Sequence, residues 1–396
     1  AKLGVRPEGG TAVFEGLLRR AETLATSREG FTPRGSANLV FSLASLRLCP
    51  SAPLLSAISL GAERQAAHFN PQDITSFLWG LSKLGAAPGG AVPALLRRAV
   101  VTASGFTPQD VSLLMWTLAK TQMAPILPDL LAAMEDRAIA TVERFKPQDV
   151  ANLLWALATL HAEAESTSGP KSTSRGVLDV IRRTKLLDAL GRRAVSISGD
   201  FDFQNVVNLV WAHAKLREPL EEGVLAAMDR QASSLLMAGR GGGALPQGVA
   251  NLLWALAKMH ATPSPGLLSA LQRRATVTVG DMKPQELANI AWALAKLQAT
   301  GDRSLLQGIE KRATATASAF APQAIANLLW ALATMGETPG VTLIMALQSR
   351  AAATAVDFQP QDVEGVVWAL GRMRVQPLPR LLKALEGREV GRRGRR

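Results

Sequence analysis

The chain has 396 residues, 47% of them hydrophobic, which is ample for a core and excludes wholesale disorder. Lys and Arg number 44 against 32 Asp and Glu, a net charge of +12 that favours a polyanionic partner. A single cysteine, Cys49, excludes an internal disulfide framework and a thiol cluster for zinc, and the sequence holds no apolar run of about 18 residues to span a membrane.

In chain order, the first predicted element is a helix near 12–26. The next begins at Pro33 and carries Phe41, and from there the sequence repeats. Trp79, Trp116, Trp155, Trp211, Trp254, Trp292, Trp330 and Trp368 follow at spacings of 37, 39, 56, 43, 38, 38 and 38 residues, and Phe41 takes the same slot 38 residues before Trp79. Eight residues before this slot stands a proline in eight of nine copies, with Phe203 in the ninth. KPQDVANLLWALATL at 146–160 and KPQELANIAWALAKL at 283–297 show the unit plainly.

Each such segment predicts a helix, here called helix A. Proline suits the first helical position, where its missing N–H is no loss. Thr107 or Asn70 before it, with Asp110 or Asp73 at the third position, forms a capping-box pattern. Phe69, Phe106, Phe145, Phe320 and Phe358 face Ile74, Val111, Val150, Ile325 and Val363 as hydrophobic staples. After a turn marked by Pro or Gly, a second helix B follows, as in 87–100 and 262–277, and it ends at the next Phe-x-Pro. Neither helix buries its apolar face alone. The expectation is an all-α fold: an α-solenoid of about nine helix–turn–helix repeats with a 38-residue period, one solenoid over 1–390 with a closing helix near 378–390. Two insertions, the polar stretch 162–176 and the glycine-rich 239–243, are predicted loops, and 391–396 is a basic tail.

On a helical wheel Gln148, Asn152 and Thr159 fall within about 60° of Trp155, so helix A leaves one narrow polar stripe. Three residues before the aromatic slot stand Asn38, Asn152, Asn208, Asn251, Asn289 and Asn327. Four after it stand Lys83, Lys120, Lys215, Lys258, Lys296 and Arg372. A column of amides beside a column of cations suits single-stranded nucleic acid, amides reading base edges and cations meeting phosphates. Two plainer readings stand beside this: Asn as a joint holding the stack, and Lys as a complement to the helix C-terminus. Tryptophan, at the border of the apolar arc, reads as core between repeats rather than as a stacking surface. A second cation recurs on helix B (Arg98, Arg137, Arg193, Arg274, Arg312 and Arg350), and acids twelve residues later (Asp110, Asp149, Glu286 and Asp362) predict an Arg–carboxylate joint.

The PQxxANxxWALAKL core, with a second helix and a 38-residue period over roughly 30–390, resembles the octotricopeptide repeats of algal and protist organelle proteins. The second helix retains only remnants of that family's proline-rich start, such as Pro88, Pro263 and Pro339, and lacks its tryptophan. The resemblance implies a mitochondrial or plastid RNA-binding protein acting in RNA stabilisation, processing or translation. A place on the rRNA of an organelle ribosome is equally consistent with it. The expected partner is organelle rRNA or mRNA, with ribosomal or other assembly proteins beside it, and neither membrane nor cofactor. A protein–protein scaffold is the alternative. The residues that recur are structural slots rather than one nucleophile–base or metal constellation, so no catalysis is expected.

Overall fold

The computed structural model describes residues 11–27, 30–86, 89–121, 127–167, 184–239, 245–299 and 302–384, and among these every regular element is helical. The chain divides into two compact units, Ala1–Ile197 and Ser198–Arg396. In the first, α1 (Thr11–Thr26), α2 (Pro33–Leu46), α3 (Ala52–Arg64), α4 (Pro71–Leu84), α5 (Ala91–Val101), α6 (Pro108–Thr121), α7 (Pro128–Ala140), α8 (Pro147–Thr167) and α9 (Thr184–Ser196) follow in order. The second holds α10 (Phe203–Leu216), α11 (Glu222–Met237), α12 (Pro246–Lys258), α13 (Pro265–Thr278), α14 (Pro284–Lys296), α15 (Arg303–Ala315), α16 (Pro322–Met335), α17 (Val341–Ala353) and α18 (Pro360–Arg372). Even-numbered helices are A and odd-numbered ones are B. Within each unit A packs on the next A and B on the next B, the arrangement of an α-solenoid. Adjacent A helices pack more extensively on one another than adjacent B helices do.

Small side chains permit that approach. At Gly80 an added Cβ would meet the Val40 side chain at 2.7 Å and its backbone at 2.9 Å, so α2 and α4 touch where glycine sits. Two departures from the repeat compensate each other in the same way. Phe203 replaces the usual proline, and its ring lies 3.3 Å from where a Cβ on Gly248 would stand. The larger ring on α10 requires the smaller residue on α12.

Helix A begins as its sequence predicts. Thr107 Oγ1 accepts from Asp110 N at 3.2 Å, while Asp110 Oδ2 accepts from Thr107 N at 3.1 Å, a complete capping box. Asn70 Oδ1 accepts from Asp73 N at 2.9 Å. The staple residues Phe69, Phe106, Phe145, Phe320 and Phe358 are buried, as are Ile74, Val111, Val150 and Ile325, while Val363 is half-buried.

The helix-B arginines do join neighbouring repeats, but through backbone carbonyls rather than the predicted carboxylates; Arg193 adds an ion pair with Glu143 at 3.7 Å. Arg98 Nε donates to Phe69 O at 3.1 Å, Arg137 to Phe106 O at 2.7 Å, Arg193 to Phe145 O at 3.0 Å, Arg312 to Met282 O at 2.9 Å and Arg350 to Phe320 O at 2.9 Å. Each bond ties one helix B to the turn that closes the helix B before it. Two glutamines take the same part: Gln65 Nε2 bonds Phe31 O at 2.9 Å, and Gln231 Nε2 bonds Phe201 O at 2.7 Å. The predicted carboxylate partners are engaged at the helix-A caps instead: Asp149, Glu286 and Asp362 accept from Lys146 N, Lys283 N and Gln359 N at 2.9–3.0 Å. A carboxyl at the third helical position is one turn from the free N–H groups, which sets its preference.

The predicted loop at 162–176 starts later than expected. Ala162–Thr167 continue α8, because Ala and Glu are strong helix formers, and 168–176 lie outside the described residues. Gly239 closes α11 in a turn with φ +64, and 240–243 lie outside the described residues, as does the tail 391–396. The closing helix is seen over 379–384.

Removing an arginine clip leaves a shielded carbonyl unpaired. Arg312→Leu is therefore expected to lower stability by about 1–3 kcal/mol, and Arg312→Gln by less than half as much, since glutamine already makes this bond at two positions. Denaturant midpoints of the two variants check this. Equal losses would show that the donor is immaterial.

Candidate nucleic-acid interface

Four slots of helix A, at seven and three residues before the aromatic position, at that position, and four after it, lie on one face because these offsets are whole turns. In the first unit the face carries Arg34, Asn38, Phe41 and Ser45 on α2, then Gln72, Ser76, Trp79 and Lys83 on α4. Gln109, Leu113, Trp116 and Lys120 follow on α6, and Gln148, Asn152, Trp155 and Thr159 on α8. In the second unit α10, α12, α14, α16 and α18 present Asn208, Asn251, Asn289, Asn327 and Gly365 beside Trp211, Trp254, Trp292, Trp330 and Trp368. Lys215, Lys258, Lys296, Thr334 and Arg372 follow.

Asn38 is exposed, and Asn152, Asn208, Asn251, Asn289 and Asn327 are half-buried. Gln204 Nε2 donates to Asn208 Oδ1 at 2.7 Å and Gln285 Nε2 to Asn289 Oδ1 at 2.9 Å, each within one helix. Among the described residues no hydrogen bond runs from these asparagines to an adjacent repeat, so the amides do not act as joints of the stack. The wheel places Gln148 on the stripe of one copy. The structure extends it to a run of exposed amides in each unit: Gln72, Gln109 and Gln148 in the first, where Arg34 takes the slot on α2, and Gln204, Gln247, Gln285, Gln323 and Gln361 in the second. The signal was in the recurrent glutamine after the first helical residue.

The tryptophans depart from expectation. Trp79, Trp116, Trp155, Trp211, Trp254, Trp292 and Trp330 are half-buried, and Trp368 is 46% exposed. Their rings approach one another across repeats instead of filling the core: Phe41–Trp79 at 4.8 Å, Trp116–Trp155 at 6.2 Å and Trp330–Trp368 at 6.3 Å, with tilts of 30–39°. The core is supplied by Leu and Ala at the flanking slots, such as Leu154, Ala156 and Leu157, which leaves the larger indole at the edge.

Lysines sit among these rings. Lys83 Nζ is 5.7 Å from Trp79 and 5.4 Å from Trp116; Lys215 is 5.5 Å from Trp211 and 5.0 Å from Trp254; Lys296 is 5.8 Å from Trp292 and 4.9 Å from Trp330. Lys120 is 4.9 Å from Trp116. These are cation–π distances. Lys83, Lys120, Lys258, Lys296 and Arg372 remain exposed, and Lys215 is half-buried. Burial pushes the Lys215 ammonium below its ordinary value, and the Lys258 charge adds to that. A groove of about 470 Å3 at the N-terminal ends of α6 and α8 brings Arg144 and Lys146 beside Gln109, Gln148 and Asn152. Among the described residues no three His, Cys, Asp or Glu side chains converge as metal ligands, and no helix is long and apolar enough to cross a membrane.

Three stretches, 47–78, 129–154 and 302–329, match a family described as a protein of unknown function, DUF1601. Each runs from helix B into helix A and ends one residue before a tryptophan, at Leu78, Leu154 and Leu329. The matched part is thus the clip, staple and cap frame rather than the Trp–Lys segment. No curated protein matches the chain significantly. Among solved structures, a homology model of the full-length AP-3 complex in an intermediate open conformation aligns at 9% identity and a TM-score of 0.28. That alignment covers 95% of this chain and 75% of that one. A crystal structure of an engineered protein aligns at 10% identity and a TM-score of 0.20, covering 96% and 95%. Likenesses at this level do not bear on function.

His213 stands two residues after Trp211, in a slot filled by Leu43, Leu81, Leu118, Leu157, Leu256, Leu294, Leu332 and Leu370 elsewhere. Its ring is buried beside the backbone of Glu218, and burial outweighs that contact and pushes its pKa down from 6.5 to about 4. The folded state therefore holds a neutral imidazole. Below pH 6.5 the unfolded chain takes up a proton that the folded one refuses until about pH 4, so stability is full above 6.5 and falls between these values. Relative to His213→Leu, the protein is expected to lose about 2–3 kcal/mol between pH 7.5 and 4.5. Denaturant unfolding of both at the two pH values reads this, and a pH-independent difference would refute it.

Proposed function

We propose that this chain is a non-catalytic RNA-binding helical-repeat protein whose A-helix stripe is the binding surface. The observation that carries the reading is the run of half-exposed indoles with ammonium groups between them, flanked by amides that the stack does not use. Single-stranded nucleic acid offers the matching chemistry: phosphates for the cations, base faces for the rings and base edges for the amides. The net charge of +12 adds a long-range attraction to any polyanion. The resemblance to octotricopeptide repeats supports a mitochondrial or plastid home and a role in RNA stabilisation, processing or translation, or as an rRNA-bound part of an organelle ribosome.

Binding to single-stranded RNA is expected to weaken steeply with salt. Replacing Lys83, Lys120, Lys258 and Lys296 together by Ala removes four phosphate contacts and should reduce the log–log salt slope by about 3. All four side chains are exposed, so the fold should survive. Titration of labelled RNA at several salt concentrations measures this. An unchanged affinity and slope would place the surface elsewhere, and indifference to RNA with capture of a peptide would favour a protein scaffold.

A further inference from the structure

At the cleft between α14 and α16 the stripe opens into a cavity of about 650 Å3. Its walls are the C-terminal ends of these A helices and the turns that follow. Lys296, Trp330 and Thr334 come from the stripe, with His260, Gln298 and Glu337 from the turns. His260 and Gln298 hold left-handed backbone, φ +54 and +52, which turns the chain sharply away at each helix end. Met335, Leu306 and Leu294 supply apolar wall, so the cavity combines an aromatic surface, an apolar floor and a polar rim. The volume is ample for a nucleobase with its ribose.

Trp330 is approached from two neighbours. Lys296 Nζ reaches it from α14 at 4.9 Å, and Trp368 from α18 at 6.3 Å and 30°. The ammonium is also 5.8 Å from Trp292, so it lies between two indoles where a flat ring would also be attracted. An exposed lysine on a four-carbon stem can leave that place without disturbing the helix. Its natural destination is the phosphate of a nucleotide whose base has taken its position. Helix C-termini carry partial negative charge, which disfavours phosphate within the cavity and favours the N–H edge of a base. Glu337 and Gln298, at the rim, offer acceptors for such an edge.

We infer that this cavity is a nucleobase site, in which one base of a single-stranded RNA stacks on Trp330 while Lys296 swings from the indole to the adjoining phosphate. The inference rests on the RNA-binding reading and deepens it by naming one subsite and the face that makes it. It also reverses the assignment of this tryptophan to the core.

The test uses the full chain, a short single-stranded RNA, and an abasic ribose-phosphate strand of the same length and charge. Intact RNA should bind the wild-type protein more tightly than the abasic strand. Trp330→Leu should weaken intact RNA about ten-fold and leave the abasic strand unchanged, with Trp330→Phe recovering most of the loss. Lys296→Ala should weaken both strands. Equal weakening of both by Trp330→Leu, or of neither, overturns the stacking site while leaving RNA binding in place. Failure of the wild-type protein to bind either strand overturns the RNA reading and this site with it. Circular dichroism confirms that each variant is folded. Zero-length photocrosslinking of wild-type protein to intact RNA gives a result independent of the variants: crosslinks should include Trp330, and crosslinking confined to other residues overturns the site.

Discussion

A backbone carbonyl screened from water sets the terms for this fold. The staple residue before most A helices is buried, with Met282 where the others have Phe, and its C=O lies outside the helical ladder. An arginine one helix pair later reaches back about 30 residues to satisfy it, as Arg137 does for Phe106 and Arg350 for Phe320. The bond fixes the distance and rotation of one helix B relative to the previous turn. Every other feature of the repeat is compatible with that spacing, and a drift in it would leave a buried carbonyl without its donor. The same logic explains why glutamine serves at Gln65 and Gln231: what the site requires is a donor of sufficient reach, not a charge.

A second joint reinforces the first on the B side. Asp229 accepts from the backbone and hydroxyl of Ser264, Glu310 from the backbone of Gly340, and Glu22 from the hydroxyl of Ser51, so one helix B caps the start of the next. With both joints among the B helices and turns, the A helices pack mainly through Leu and Ala, with one buried polar contact in which the Ser112 hydroxyl on α6 donates to Asp149 Oδ1 on α8 at 3.4 Å. The amides and ammonium groups of the stripe take no part in these two joints, while the indoles meet one another across repeats.

Most of the frame was legible in the residues. The tryptophan spacing located the nine helix-A segments, and the Pro, Phe and Asp positions specified their starts. What was not legible was which atom an arginine addresses. Co-occurrence of Arg350 and Asp362 suggested an ion pair, whereas the carboxylate is drawn to the adjacent N-cap amide and the guanidinium to a carbonyl. Pattern fixes which slots vary together, but competition for a backbone group is settled by geometry. The indoles were misplaced for a related reason. A helical wheel puts Trp155 at the edge of the apolar arc, yet it does not show that Leu154 and Leu157 already fill the space between repeats. The stripe of Asn and Lys was legible because whole-turn offsets determine a face without reference to neighbours.

The lysine positions also bear on why such a surface would bind at all. Lys215 and Lys258 repel each other, and Lys215 is partly removed from water as well. Contact with neighbouring indoles compensates in part, since a ring face attracts a cation even where hydration is reduced. The free protein therefore holds its cations in a compromise rather than in ion pairs with its own carboxylates. Two ion pairs among the described residues, Arg19–Glu15 and Arg193–Glu143, lie away from the stripe. A polyanion laid along the A helices has no internal salt bridge to break there. It would relieve the mutual repulsion of the lysines and free the ring faces in the same step, which couples phosphate contact to base contact on one surface.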